Sequence, residues 1–154
     1  MFRHLTLFLL PAFAACSGPQ QPQTQVAQLA DFVVLEQGET ALFPERDITV
    51  RFDSISADNR CLEDAQCLDA GEASVHFTLS EDGATTPFML TIEGNISSES
   101  PRDITEAMSL AKEQEYQTVG AYEAALFLLQ PYPGFAAERK MAPTVVFEIK
   151  LPEE

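Results

Sequence analysis

A chain of 154 residues with 24 acidic and 9 basic side chains carries a net charge of −15. That charge argues against nucleic acid, whose binding needs Lys and Arg at phosphates, and against adsorption to anionic lipid headgroups. Hydrophobic residues at 45% against charged ones at 21% suffice for one buried core, so the chain reads as a single globular domain rather than a disordered segment.

In chain order, a basic start (Arg3, His4) precedes an apolar run from Leu5 to Ala15, and two small residues, Ala14 and Ala15, stand just before Cys16. This is the layout of a secretory signal peptide with a cysteine where cleavage falls. The run is well short of the ~20 residues that a membrane-spanning helix needs. Phe13-Ala14-Ala15-Cys16 resembles the cleavage box of bacterial lipoproteins, with Phe13 where that family has Leu. The resemblance implies that residues 1–15 are a signal peptide and that Cys16 is the lipidated first residue of the mature chain. It also implies a domain tethered to a membrane in the cell envelope. Ser17 after the cysteine, rather than Asp, implies the periplasmic face of the outer membrane if the source is Gram-negative. Read from the residues alone, an ordinary secretory signal that ends near a cysteine would look similar.

Cleavage before Cys16 removes 15 of the 154 residues and leaves 139; it removes Arg3 and no acid, so −15 becomes −16. Ser17 to Gln28 is rich in Gln, Pro and Ser with almost nothing to bury, so residues 16–30 read as lipidated cysteine and flexible linker, with the domain over 31–154.

Short strands follow. Phe32 to Glu36 is a β-rich run ended by Gln37-Gly38-Glu39. Asp47 to Ser54 alternates, with Ile48, Val50 and Phe52 on one face. Glu72 to Ser80 does the same through Ala73, Val75, Phe77 and Leu79. Glu81-Asp82-Gly83 makes a tight turn, and Pro87 to Glu93 is its hairpin partner. Thr144 to Leu151 alternates again through Val145, Phe147 and Ile149. Ser100 as cap, Pro101 in the first turn and Asp103 near the positive end allow a short helix near 101–113. Ala121 to Leu129 has helical propensity but stops at Gln130-Pro131-Tyr132-Pro133-Gly134, and strand is the preferred reading. Short antiparallel strands separated by turns predict a mainly β fold, a β-sandwich or an open barrel.

With Cys16 set aside, Cys61 and Cys67 form an even pair, and in an exported chain a pair this close reads as a structural disulfide. Asp58 and Asn59 suit a turn, Gly71 permits a positive φ at the start of the next strand, and Arg60 has Asp58, Asp64 and Glu72 within reach as ion-pair partners. Asp58-Asn59-Arg60-Cys61, then Cys67, then Ala70-Gly71-Glu72-Ala73 resemble a group of small bacterial lipoproteins of unassigned activity. Those carry Asp-Ser-Arg-Cys-Pro, a few residues, then Cys-Val-Trp-Ala-Gly-Glu-Ala. Farther on, a Tyr-led strand ends in Pro-Tyr-Pro, as Tyr122 and Pro131-Tyr132-Pro133 do here. The chain departs from the pattern at Asn59, Leu62 and Leu68-Asp69. The resemblance implies a β-sandwich and supplies no reaction.

Nucleophilic catalysis needs a histidine in a cleft, and the mature chain has only His76, outward among Ser74, Thr78 and Ser80. No phosphate loop, His-x-x-x-His pair or nucleophile elbow is present. Calcium is the stronger alternative, because Asp58, Asp64, Asp69 and Glu72 crowd one loop and hard cations take oxygen ligands, although the spacing is not that of an EF-hand. The sequence therefore points to a lipid-anchored envelope protein, without a cofactor, whose β domain is structural or binding rather than enzymatic. A calcium-binding or inhibitor-like module that uses the Asp58–Glu72 loop against an envelope protein is the second reading.

Overall fold

The computed structural model describes residues 23–62, 67–94, 105, 114–133 and 141–153. Among them are nine strands: β1 (Thr24–Val26), β2 (Val33–Glu36), β3 (Thr40–Phe43), β4 (Ile48–Asp58), β5 (Glu72–Glu81), β6 (Ala84–Glu93), β7 (Gln117–Val119), β8 (Tyr122–Gln130) and β9 (Thr144–Lys150). They form two sheets, one in the order β1-β3-β4-β5-β6 and one in the order β2-β9-β8-β7, packed as a sandwich and not closed into a barrel. Every neighbouring pair is antiparallel except β1 on β3.

Alternation decides which face is buried. Ile48, Val50, Phe52, Val75, Phe77 and Leu79 of the first sheet meet Leu35, Tyr122, Leu126, Val145, Phe147 and Ile149 of the second. Phe77 is central: its ring lies 5.7 Å from Phe52, 5.3 Å from Phe88 and, across the sandwich, 5.3 Å from Phe147. Offset and tilted aromatic contacts of this kind add to the area that they bury. The second sheet buries its other face as well, through Ala125, Phe127, Leu128 and Val146, with Phe32, Val34 and Tyr116 packed against them. A strand buried on both faces loses its alternation and reads as a continuous apolar run, which is why β8 resembles a helix by composition.

The structure corrects the sequence reading in three places. Thr24–Val26, assigned to the linker, is a parallel strand on β3, and Ala27 and Leu29 pack against the core. The pairing is carried by backbone: the Ala27 N–H donates to the Leu42 carbonyl (2.9 Å) and Thr40 N–H to Gln23 (3.2 Å), while Val26 stays 72% exposed. A strand held by main-chain bonds leaves no hydrophobic signature. β4 runs four residues beyond Ser54, to Asp58, by register shifts between Phe52 and Ser54 and between Ile55 and Ala57; these re-aim its side chains and break the alternation. His76 lies on the outward face as expected, but it is half-buried between Ser54 and Met89 on the neighbouring strands, and its Nε2 is buried without a hydrogen-bond partner among the described residues. Residues 1–15, Cys16, Asp64 and, apart from helical Thr105, the expected helix at 101–113 lie outside the described residues. No helix among the described residues is long and apolar enough to cross a membrane.

Candidate functional site

The cysteine loop leaves the first sheet where β4 ends and returns at the start of β5. Main-chain bonds tie its two limbs, Asn59 N–H donating to the Glu72 carbonyl (2.9 Å) and Cys61 N–H to Ala70 (2.8 Å), while Gly94 N–H, just past β6, donates to Gly71 on the returning limb (2.8 Å). Cys61 and Cys67 are disulfide-bonded, with their Cα atoms 6.0 Å apart. Gly71 has φ +66°, and a Cβ there would lie 1.9 Å from the Asn59 carbonyl oxygen. Both the conformation and the close approach therefore require glycine.

Arg60 is the centre of this end of the sandwich. Its side chain is 1% exposed. Nε donates to Asp58 Oδ1 (2.8 Å) and Nη2 to Asp58 Oδ2 (2.7 Å), a two-pronged pairing that suits the planar guanidinium. On the other side Nη1 donates to the Leu129 carbonyl (2.7 Å) and Nη2 to that of Pro131 (3.3 Å), while the guanidinium carbon sits 4.2 Å from the centre of the Tyr132 ring. Leu129 lies at the end of β8 in the second sheet and Asp58 closes β4 in the first, so one side chain bolts the two sheets together. The Asp-x-Arg-Cys and Pro-Tyr-Pro segments, 71 residues apart from Arg60 to Pro131, meet at this side chain.

Of the residues that the sequence nominated for calcium, Asp58 is spent on Arg60, and Asp69 Oδ1 accepts the Gly71 N–H (2.8 Å) in a turn of its own loop. Glu72 is exposed and stands directly across the strand pair from Glu93, and Asp64 is outside the described residues. Among the described residues no three His, Cys, Asp or Glu side chains converge on a point that would hold a metal ion.

A second polar cluster lies on the outer face of the second sheet. Glu148, 8% exposed, neighbours Tyr116 and Lys150; Lys150 Nζ sits 4.0 Å from the Tyr116 ring centre and 3.9 Å from Glu123. Burial, then the Glu148 carboxylate, pushes the Tyr116 phenol up to about 12. Tyr122 is likewise raised to about 12, by burial and by its 2.7 Å bond to Glu81 Oε1. Sequence reasoning missed this cluster because its members come from β8, β9 and the segment before β7. Compared with known proteins, the chain matches no family model, no curated protein and no solved structure.

Proposed function

We propose that this chain is a lipid-anchored module of the cell envelope, on the periplasmic face of the outer membrane in a Gram-negative cell, that works by structure or binding rather than turnover. The Cys61–Cys67 bridge carries the reading. Disulfides persist in oxidising compartments, and this one uses two of the chain's three cysteines, leaving Cys16 alone for acylation behind Ala14 and Ala15. The Arg60 clamp supports the binding half of the proposal. It stiffens the end of the sandwich from which the loop projects, and Leu62 and Leu68 are both exposed there, which suits contact with an envelope protein.

Several acyl chains together hold a protein to a bilayer effectively permanently, each buried methylene contributing ~0.8 kcal/mol. The test is detergent phase partitioning of cells fed a clickable palmitate analogue. The chain is expected to carry the label and enter the detergent phase, and Cys16→Ser to lose both properties. An unlabelled chain that stays in the aqueous phase would remove the anchor from the proposal.

A further inference from the structure

We propose that the free edge of β6 binds an extended, cationic peptide by strand addition. The β5–β6 hairpin turns through Asp82 and Gly83, both at positive φ (50° and 78°), and Glu81 pairs with Ala84 to close it. The register then runs unbroken to Glu72 opposite Glu93. In an antiparallel pair, bonded and non-bonded positions alternate from the closing pair. Ala84, Thr86, Phe88, Leu90 and Ile92 therefore spend their backbone groups on β5, and the Gly94 bond to Gly71 continues that set. Thr85, Pro87, Met89, Thr91 and Glu93 turn theirs away from it.

Among the described residues no strand pairs with those outward groups. β6 is the last strand of its sheet among the described residues, and Thr85, Pro87, Met89 and Thr91 are exposed. Sheet edges are ordinarily guarded by short length, bulges, proline or charged side chains. β6 is ten residues long, has no bulge and carries no charge from Ala84 to Ile92, in a chain where 21% of residues are charged. Pro87 removes one outward donor and keeps its carbonyl. The other edges, β1, β2 and β7, have three, four and three residues.

Charge identifies the occupant. The uncharged stretch is bracketed at the hairpin end by Asp82, beside a Glu81 whose carboxylate accepts the Tyr122 hydroxyl, and by Glu72 and Glu93 at the other. Two carboxylates directly opposite each other destabilise a strand pair, and neither Glu72 nor Glu93 has an ion-pair partner among the described residues. An extended segment with an uncharged middle and Lys or Arg near both ends satisfies the backbone and neutralises both ends at once. A second copy of this chain pairing through β6 would run antiparallel and bring the Glu93 end of one copy toward the acidic hairpin end of the other, which like charge opposes. The proposal rests on the binding-module reading above and is independent of the anchor.

Amide-resolved hydrogen exchange on the full chain in detergent tests it. The probe is the peptide Lys-Lys-Thr-Val-Thr-Val-Thr-Val-Thr-Lys-Lys, with one control that has Glu at the four ends and one with alternate amides N-methylated. Saturating probe is expected to slow exchange at Thr85, Met89 and Thr91 by roughly tenfold or more, with both controls inactive and the effect reduced by salt. Met89→Lys, at a side chain 43% exposed, is expected to weaken binding by roughly the same factor without moving the unfolding midpoint; should it fail to fold, the N-methylated control decides the matter. Equal protection by the Glu-ended peptide, protection away from β6, or protection that grows with protein concentration alone would overturn the proposal. A lipidated chain without β6 protection refutes the edge site only, and an unlipidated chain that binds the probe at β6 refutes the anchor only.

Discussion

Replacing Arg60 with alanine removes a side chain that joins the ends of β4 and β8, and its hydrogen bonds set the cost. Four guanidinium bonds disappear, two to the Asp58 carboxylate and two to the carbonyls of Leu129 and Pro131. Breaking one member of a buried ion pair costs ~3–5 kcal/mol, mostly because the other charge is left without compensation. Asp58 is 23% exposed and recovers some hydration, which pulls its share toward the low end. The carbonyls that lose their donor add about 1 kcal/mol each where water does not replace it. The expected destabilisation is about 4 kcal/mol, a large part of the ~5–15 kcal/mol that holds a domain of this size. Arg60→Lys keeps the charge but not the fork, and is expected to recover less than about half of it. The assay is equilibrium urea unfolding with the disulfide intact, on Arg60→Ala, Asp58→Ala and the double variant. A coupling energy of about 2 kcal/mol or more between the two positions agrees with the geometry. An Arg60→Ala cost under about 1 kcal/mol, or additive single effects, would refute the clamp.

Opening the bridge with Cys61→Ser and Cys67→Ser is expected to cost about 2.4 kcal/mol, the chain-entropy value for a loop of about seven residues, and an unchanged urea midpoint would show that the loop is held by its backbone bonds alone. Gly71→Ala places a Cβ against the Asn59 carbonyl at a left-handed φ and is expected to cost about 3 kcal/mol or more; near wild-type melting would contradict the close approach. The folded-state values of Tyr116 and Tyr122 lie near 12, above the unfolded value of about 10, so the unfolded chain releases these protons first. Their contribution to stability is therefore expected to be level below about pH 9 and to fall between about pH 10 and 12, by up to about 3 kcal/mol from Tyr122 alone, with Tyr122→Phe flattening that decline. A midpoint that does not vary between about pH 9 and 12 would show that neither phenol is held in its protonated form by the fold.

The hairpin of β5 and β6 was legible because local signals agreed: Val75, Phe77 and Leu79 alternate, and Asp82-Gly83 demands the positive φ that it adopts. β4 was legible as far as Ser54, where the alternation stops. β3 and β7 escaped because four and three residues between turns carry too little pattern, and β1 because backbone bonds rather than buried side chains hold it. The Asp58–Arg60 pair could be foreseen from spacing. The carbonyls of Leu129 and Pro131 could not, because which carbonyl faces Arg60 depends on how the two sheets stack. The calcium reading rested on carboxylate density along the chain; among the described residues Asp58 pairs with Arg60 and Asp69 with the Gly71 N–H, partners within their own turns that residue counts do not disclose.

Intact mass of the membrane-extracted chain, before and after reduction and beside Cys16→Ser, tests the central claim of an exported, lipid-anchored, disulfide-stapled domain. The expected species begins at Cys16, carries diacylglyceryl and N-acyl groups, and gains two hydrogens on reduction as Cys61 and Cys67 part. A chain without acyl mass, or one whose mass does not change on reduction, would contradict it.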